Sequence, residues 1–256
     1  PGYPVPHPMT PVQLIDRAAE HGVECVQIAD NMPLHNIPSR RRLDIKQYAD
    51  EQQIAVEVGT RGIQPENLYA YLDVACEFES PVLRAVIDAP DFQPDIAQIV
   101  DILSNIVPEL RSRGIVLAIE NHDRFKAGEF LDILQAVNSD CVGICLDSVN
   151  SMGAGEGVEH VTELLGAYTL NLHVKEFTVK RIDHKMGFVI EGLPAGRGML
   201  PLEWMLPRLN PRCTSAILEQ WVPPGASMQE TIEREARWAE ESINYLKPFF
   251  QGAEHE

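Results

Sequence analysis

Short, continuous apolar runs alternate along the chain with longer stretches in which apolar residues recur at helical spacing. The runs are rich in Val, Ile and Leu, and each is followed by a helical stretch, which is typical of parallel strands buried on both faces. Seven runs have this character: ECVQIAD, IAVEVGTRG, PVLRAVID, IVLAIENHD, VGICLDSVN, TLNLHVKEF and SAILEQW. The hydrophobic pattern therefore predicts a parallel sheet covered by helices.

Local signals predict where helices begin and end. Thr10 is a predicted N-cap, Pro11 stands in the first helical turn, and Gly22 ends that helix. The long helix before IVLAIENHD ends in the same way at Gly114. Residues 186–191 look like one arm of a hairpin, and the PAGRG segment after them looks like a turn.

The order of elements predicts the architecture. Strand–helix units of roughly thirty residues favour an α/β fold of the (β/α)8 TIM-barrel type over a doubly wound sheet. The alternative, a Rossmann sheet, lacks its G-x-G-x-x-G fingerprint between a strand and a helix. Because seven strands are recognised, we expect the first barrel strand to lie upstream of Pro1. No Ser/Gly-rich linker interrupts the alternation, so residues 1–256 are predicted to form one domain, with a polar tail at 251–256.

Charge and cysteine content narrow the class of partner. The chain has 21 Lys+Arg against 38 Asp+Glu, a formal charge of −17, which disfavours nucleic acid and anionic membranes as partners. No apolar run approaches the length of a membrane span, and no secretory signal opens the chain. The five cysteines are an odd number and fall mostly in predicted core positions, which fits a reducing cytoplasm.

Four chemically active residues stand near the ends of four successive predicted strands: Glu120, Asp147, His173 and Glu219. In a barrel the carboxyl ends of all strands meet at one face, so these side chains should converge at its mouth. Three carboxylates with one imidazole form a set that suits a single divalent cation. We expect Mn²⁺ first, with Mg²⁺, Co²⁺ or Zn²⁺ as alternatives.

Such a site suits proton transfer beside a carbonyl. A cation with open positions chelates the carbonyl and adjacent hydroxyl of a ketose, which acidifies the neighbouring C–H and stabilises an enediolate. Glu120 and Glu219 would flank the substrate, one removing a proton and the other returning it. This chemistry is that of an isomerase or epimerase.

Five short segments carry a resemblance to a known family: ENHD, CLDSVNSMG, LHVKEF, EGLPAGRG and ILEQW. In this order they resemble the xylose isomerase-like TIM barrels, a sugar phosphate isomerase/epimerase family that includes ketose 3-epimerases, inosose isomerases and dehydratases, and endonuclease IV. The resemblance covers nearly the whole chain. It implies that the four strand-end residues are metal ligands, with Glu120 and Glu219 as the acid/base pair.

Departures from the family pattern restrict the activity. Asn150 stands where the DNA-repair members and ketose 3-epimerases carry a histidine, and Val179 stands where the epimerases tend to have an arginine. Together with the acidic charge, this argues against a nuclease and implies a different orientation of the substrate. The HVKEF segment, with Lys175 two residues past His173, looks more like the inosose dehydratase branch.

Further residues are candidates for substrate contact or catalysis. His122 lies two residues past Glu120 and is predicted to face the same way, as a second acid or base or as a loop histidine bonded to backbone. Arg84, an isolated cation in an apolar strand, is predicted either to bind substrate hydroxyls or to pair with Glu57. Lys175 should lie near the cation or form a salt bridge to a cluster glutamate. The remaining candidates are Asn150, Arg181, Arg197 and His7.

Three functions stay open at this point. The first is a metal-dependent isomerase or epimerase of a sugar or cyclitol. The second is a lyase on the same site, either an inosose dehydratase-like enzyme or a keto-sugar deglycosidase, since both reactions begin with proton abstraction beside a carbonyl. The third is a non-catalytic binding subunit, which the complete ligand set argues against. Exposed barrel helices often pair, so a homodimer or homotetramer is expected.

Overall fold

A sheet of parallel strands forms the centre of the computed structural model, which describes residues 8–250. The strands of that region are β1 Cys25–Ile28, β2 Ala55–Arg61, β3 Val82–Val86, β4 Val116–Glu120, β5 Val142–Asp147, β6 Thr169–Val174, β7 Phe177–Arg181, β8 Phe188–Gly192 and β9 Ala216–Leu218. Seven of them pair in the order β1-β2-β3-β4-β5-β6-β9, every pair parallel. The seven strands predicted from the apolar runs are confirmed.

Helices alternate with the strands, and the helix ends predicted from Thr10, Gly22 and Gly114 are confirmed. The helices are α1 Pro11–His21, α2 Ser39–Glu51, α3 Pro65–Glu77, α4 Ile96–Arg113, α5 Ala127–Val137, α6 Val158–Leu165, α7 Leu202–Met205 and α8 Met228–Phe250. The Thr10 hydroxyl accepts the Gln13 N–H as an N-cap, and Gly22 and Gly114 end their helices with φ of 60° and 68°. These left-handed conformations favour glycine. Among residues 8–250, no helix is long and apolar enough to cross a bilayer.

The seven parallel strands curve into a nearly closed TIM barrel with the helices outside. Strands β3, β5 and β6 are buried along their whole length, as expected for strands that pack on both faces. The end strands β1 and β9 approach each other without pairing, and we call this gap the seam. An eighth strand would have to lie in the seam to complete the barrel.

A two-stranded hairpin rises from the carboxyl end of β6. Strands β7 and β8 pair antiparallel, so the expected arm at 186–191 is confirmed and its partner is Phe177–Arg181. The base of the hairpin lies against the segment after β9, because a Cβ on Gly192 would stand 1.6 Å from the Trp221 carbonyl oxygen. Only glycine permits this approach, which fixes the hairpin beside the mouth of the barrel.

Candidate metal centre

Four side chains converge at the carboxyl ends of the barrel strands. Glu120 ends β4, Asp147 ends β5, His173 lies in β6, and Glu219 follows β9. One ligand atom from each lies within 4.8 Å of the other three. The first three residues are buried, whereas the Glu219 side chain is 40% exposed. Consecutive parallel strands thus bring together the residues that the sequence pattern singled out.

A hydrogen bond to the side chain of Gln27 in strand β1 orients the imidazole of His173. Its Nε2 lies 2.8 Å from Gln27 Oε1, and because an amide oxygen only accepts, Nε2 carries the hydrogen. Gln27 in turn donates from Nε2 to Glu57 Oε2 at 3.0 Å. The opposite ring nitrogen, Nδ1, therefore faces the cluster, 2.7 Å from Glu219 Oε2 and 3.4 Å from Glu120 Oε2.

Backbone amides orient Asp147. Its Oδ1 accepts the N–H groups of Val149 at 2.8 Å and Asn150 at 2.9 Å, which turns Oδ2 towards the cluster. The ammonium of Lys175 lies 2.8 Å from that oxygen. Burial raises the pKa of Asp147, and the negative charges of the neighbouring carboxylates add to this, although Lys175 opposes it.

Both oxygens of Glu120 are occupied by protein groups. Arg84 donates from Nε to Oε2 and brings Nη2 into an ion pair with the same oxygen, and the Asn150 amide donates to Oε1 at 2.7 Å. Arg84 also lies 3.5 Å from Asp30 Oδ1. The alternative prediction that Arg84 pairs with Glu57 is wrong, because Glu57 lies deeper in the barrel, where amide side chains hold it.

Glu219 is the carboxylate of the cluster that remains open to solvent. Its Oε1 lies 3.1 Å from Lys175 Nζ, and Lys175 also donates to Asn150 Oδ1 at 3.1 Å. Burial works to raise the pKa of Glu219, but the close contact with His173 and the charge of Lys175 outweigh it and lower the pKa to about 2. Glu219 is therefore an anion throughout the neutral pH range.

The donor set fits a divalent cation. Three buried atoms that face one another have no hydrogen-bond partner within residues 8–250: Asp147 Oδ2, His173 Nδ1 and Glu219 Oε2. Lys175 Nζ lies 2.8 Å from Asp147 Oδ2 and His173 Nδ1 lies 2.7 Å from Glu219 Oε2, but neither contact runs along a hydrogen-bonding direction. Buried polar atoms without partners are rare, and carboxylate oxygens with one imidazole nitrogen are donors that Mn²⁺, Mg²⁺ or Co²⁺ accepts.

The other predicted residues divide into two groups. Asn150 and Lys175 touch the cluster, as described above. His122 does not, because β4 ends at Glu120 and the alternation of an extended strand stops there; its Nδ1 instead contacts the Asp123 carboxylate. The expectation that His122 faces the same way as Glu120 is therefore not met.

Within residues 8–250, the cationic candidates of the hairpin region make no hydrogen bond or ion pair with the cluster. Arg181 donates to the Lys185 carbonyl oxygen at 2.9 Å, and its guanidinium stacks 4.5 Å from the centre of the Phe188 ring. Arg197 is exposed in the turn after β8. His7 lies outside the described residues.

A carboxylate overlooked in the sequence holds the turn that follows the hairpin. Glu176, 5% exposed, accepts the Leu200 N–H on Oε1 and the Gly196 N–H on Oε2, both at 2.9 Å. Oε1 also accepts the N–H of Phe177 at 3.0 Å. Three backbone donors on one buried carboxylate fix the 194–200 segment beside the mouth.

An inward-facing polar layer below the cluster was also missed. Gln27, Glu57 and Asn171 belong to three different strands and bond to one another across the barrel. The signal was present in the sequence, since each is a polar residue inside an apolar run, and Asn171 lies two residues before His173 on the same face of its strand.

Comparison with known proteins places the chain in a family. The family model of the xylose isomerase-like TIM barrel matches residues 10–249. The chain belongs to this family. A relative from Pectobacterium atrosepticum, 3-oxo-isoapionate decarboxylase, is 30% identical over 244 residues, which cover 94% of this chain and 89% of that protein.

Solved structures of xylose isomerase-like barrels share the fold at lower identity. D-psicose 3-epimerase of Clostridium cellulolyticum H10, solved with D-tagatose, is 17% identical with a TM-score of 0.71, covering 93% of each chain. A xylose isomerase-like TIM barrel protein of Mycobacterium smegmatis, solved with magnesium, is 14% identical with a TM-score of 0.72, covering 94% of this chain and 88% of that one. Ketose epimerases and a decarboxylase are thus among the proteins that this chain resembles.

Proposed function

We propose that this protein is a divalent-metal-dependent lyase that decarboxylates a 3-oxo sugar acid through an enediolate. The proposal keeps the lyase class that the sequence leaves open, but the reaction is decarboxylation instead of the dehydration or deglycosylation expected there. Its support is the engagement of Glu120 by Arg84 and Asn150, together with the relative that carries a decarboxylase name.

The state of Glu120 favours decarboxylation over epimerisation. In the epimerase expected from the sequence, one free carboxylate removes a proton from one face of a carbon and a second returns it on the other. Here Arg84 and Asn150 occupy both oxygens of Glu120, so Glu219 is the one cluster carboxylate open for that role. Decarboxylation needs no base at carbon, because the electrons come from the C–C bond that breaks.

Glu120, Asp147, His173 and Glu219 would hold the cation. When bound, it supplies a Lewis acid that polarises the ketone oxygen and stabilises negative charge developing there. The buried Arg84 and the Asn150 amide fix Glu120, and the Asp147 backbone contacts fix the second carboxylate. These contacts preorganise the donors before substrate arrives.

Lys175 is the proton donor that the site offers. In a 3-oxo acid the bond to the carboxyl carbon breaks, CO₂ leaves, and the electron pair moves towards the ketone. The Lys175 ammonium, held beside Glu219 at 3.1 Å, would then donate a proton to the carbon that lost CO₂, and the electron pair returns to restore the ketone. Water returns the proton to Lys175, and the hydroxide that this leaves combines with CO₂ as bicarbonate, so the net reaction is carboxylate plus water to ketose plus bicarbonate.

A second candidate is a sugar isomerase or epimerase. The ketose epimerase fold and the half-exposed Glu219, anionic at neutral pH, support it, because Glu219 could act as a single base on both carbons of an enediolate. In an epimerase, Lys175 would instead return the proton on the opposite face.

One experiment separates the two. Mn²⁺-loaded enzyme would be incubated in D₂O with a freshly prepared 3-oxo sugar acid and, separately, with D-fructose and D-tagatose, while CO₂ release and NMR spectra are followed. We expect CO₂ and a singly deuterated ketose from the acid. Deuterium in an otherwise intact ketose, without CO₂ from the acid, would establish the second candidate instead.

A further inference from the structure

The barrel mouth carries two arginines on the side away from Glu219. Arg61 ends β2 and Arg84 lies in β3. Arg84 is level with Gly59 in the parallel register, so Arg61 lies two residues further along its strand, nearer the mouth. Asp30, just after β1, contacts both arginines. Arg84 also pairs with Glu120. Contacts therefore connect Arg61 to the metal cluster through Asp30 and then Arg84.

The side chain of Arg61 starts on the inner face of the barrel. Glu57 lies four residues earlier on the same strand, and its carboxylate accepts the Asn171 amide across the barrel at 3.0 Å. Alternate residues of a strand share a face, so residues 57, 59 and 61 point inward. A Cβ on Gly59 would stand 3.3 Å from Cδ of the inward-facing Arg84, which agrees with this orientation.

Hydrogen bonds fix the backbone of Arg61, whereas its guanidinium keeps N–H donors available for a ligand. The Asn67 amide donates to Thr60 Oγ1, to the Arg61 carbonyl oxygen and to the Gly62 carbonyl oxygen, at 3.0, 3.2 and 2.6 Å. The side chain of Arg61 is 37% exposed and makes one contact, from Nε to Asp30 Oδ2 at 3.3 Å. Within residues 8–250, its two terminal nitrogens have no hydrogen-bond partner.

We infer that Arg61 binds the carboxylate of the substrate and that Asp30 competes with it. The inference rests on the proposed function, because decarboxylation requires a substrate with a carboxylate next to the reacting carbon, and a guanidinium binds that group. The free edge of a guanidinium matches a carboxylate with two parallel hydrogen bonds. The cation cluster would hold the ketone end of a 3-oxo sugar acid, and Arg61 the acid end.

By pairing with Arg61, Asp30 weakens the binding of the substrate carboxylate, and the reaction explains why weak binding is useful. The carboxylate loses its charge as CO₂ forms, so strong binding of that charge would stabilise the substrate more than the transition state. Asp30 already neutralises part of Arg61, which limits such stabilisation while the guanidinium still orients the bond that breaks.

Isothermal titration tests the inference without turnover. Mn²⁺-loaded enzyme would be titrated with L-threonate, a stable sugar acid, and with threitol, its neutral counterpart. We expect Arg61→Met to weaken threonate binding about ten- to a hundredfold, as loss of a charged hydrogen-bond pair does. Asp30→Asn should tighten it several-fold, roughly in line with a relieved exposed ion pair. Threitol affinity should stay the same in both variants.

Controls keep the outcome independent of folding and of the proposed reaction. Mn²⁺ affinity of Arg61→Met should equal that of wild type, and Arg61→Lys, which keeps the charge and loses the fork, should fall between the two. Unchanged threonate affinity in Arg61→Met, or no threonate binding by wild type, would overturn the assignment while CO₂ release still reports on the reaction. Tighter, Arg61-dependent binding of erythritol 4-phosphate would overturn the carboxylate in favour of a phosphate.

Discussion

The orientation of His173 by Gln27 leads to a sharp prediction about metal affinity. Gln27→Met keeps the length and approximate volume of the side chain but removes the oxygen that accepts the His173 Nε2–H at 2.8 Å. It also removes the N–H donor to Glu57 at 3.0 Å. The imidazole is then free to rotate and to change tautomer, so Nδ1 no longer points permanently into the cluster.

The size of the effect follows from the contacts that are lost. Outer hydrogen bonds to a metal-binding histidine are worth about ten- to a hundredfold in metal affinity, or roughly 1.4 to 2.7 kcal/mol. Glu57, 4% exposed, would keep its bond from Asn171 and lose the one from Gln27. Leaving part of a buried acceptor unsatisfied lowers the free energy of unfolding by about 1 to 3 kcal/mol.

Mn²⁺ titration followed by electron paramagnetic resonance measures the affinity, and chemical denaturation measures the stability. Nitrogen NMR of the histidine ring reports its tautomer directly. Gln47→Met is a matched control, because Gln47 makes a similar bond to Glu51, at 2.9 Å on the exposed face of α2. A Gln27→Met protein that loses stability but binds Mn²⁺ as wild type does would refute the orienting role.

Three further substitutions test the site and its surroundings. Lys175→Met should tighten Mn²⁺ binding several-fold, because an ammonium 2.8 Å from Asp147 Oδ2 repels a dication, while turnover falls about a hundredfold or more with its proton donor gone. Glu219→Gln should lower turnover about a hundredfold, because it removes the anion that holds the Lys175 ammonium, while the fold and much of the Mn²⁺ binding survive. Glu176→Gln places an amide N–H against backbone donors of the 194–200 turn, so trypsin should cut after Arg197 about tenfold faster.

Each of these has an outcome that contradicts it. Weaker Mn²⁺ binding in Lys175→Met would mean that the ammonium supports the cluster rather than competing with the cation. A substantial rate in Glu219→Gln would remove Glu219 from the chemistry. Wild-type proteolysis of Glu176→Gln, measured beside Lys180→Gln as a matched change in the exposed hairpin, would mean that the turn is held by other contacts.

The sequence predicts the frame of this protein because the relevant signals are local. An apolar run followed by a helical period identifies each strand, and Gly114 or Thr10 marks a helix end from its own backbone preference. Glu120 and Asp147 converge because strands that follow one another in a parallel barrel are neighbours.

The partners of those residues could not be predicted in the same way. Arg84 has acidic residues on both neighbouring strands, Glu57 and Glu120. Which of them it pairs with depends on how far its guanidinium extends towards the mouth of the barrel. Gln27 meets His173 only because curvature brings β1 across from β6. His122 was misplaced because one residue decides whether a strand continues. These contacts depend on closure, which no local pattern encodes.

Because the barrel is open at the seam, cation binding should affect the stability of strand β9. Strand β9 has three residues and pairs with β6 alone, so within residues 8–250 it is among the most weakly attached parts of the barrel wall. Glu219 follows it directly, while Glu120 and Asp147 belong to strands that β9 does not touch in the sheet. A cation bound by these residues would link strand β9 to strands β4 and β5, in addition to the backbone pairing of β9 with β6. Loading the enzyme would then tighten its C-terminal quarter, and chelation would loosen that quarter first.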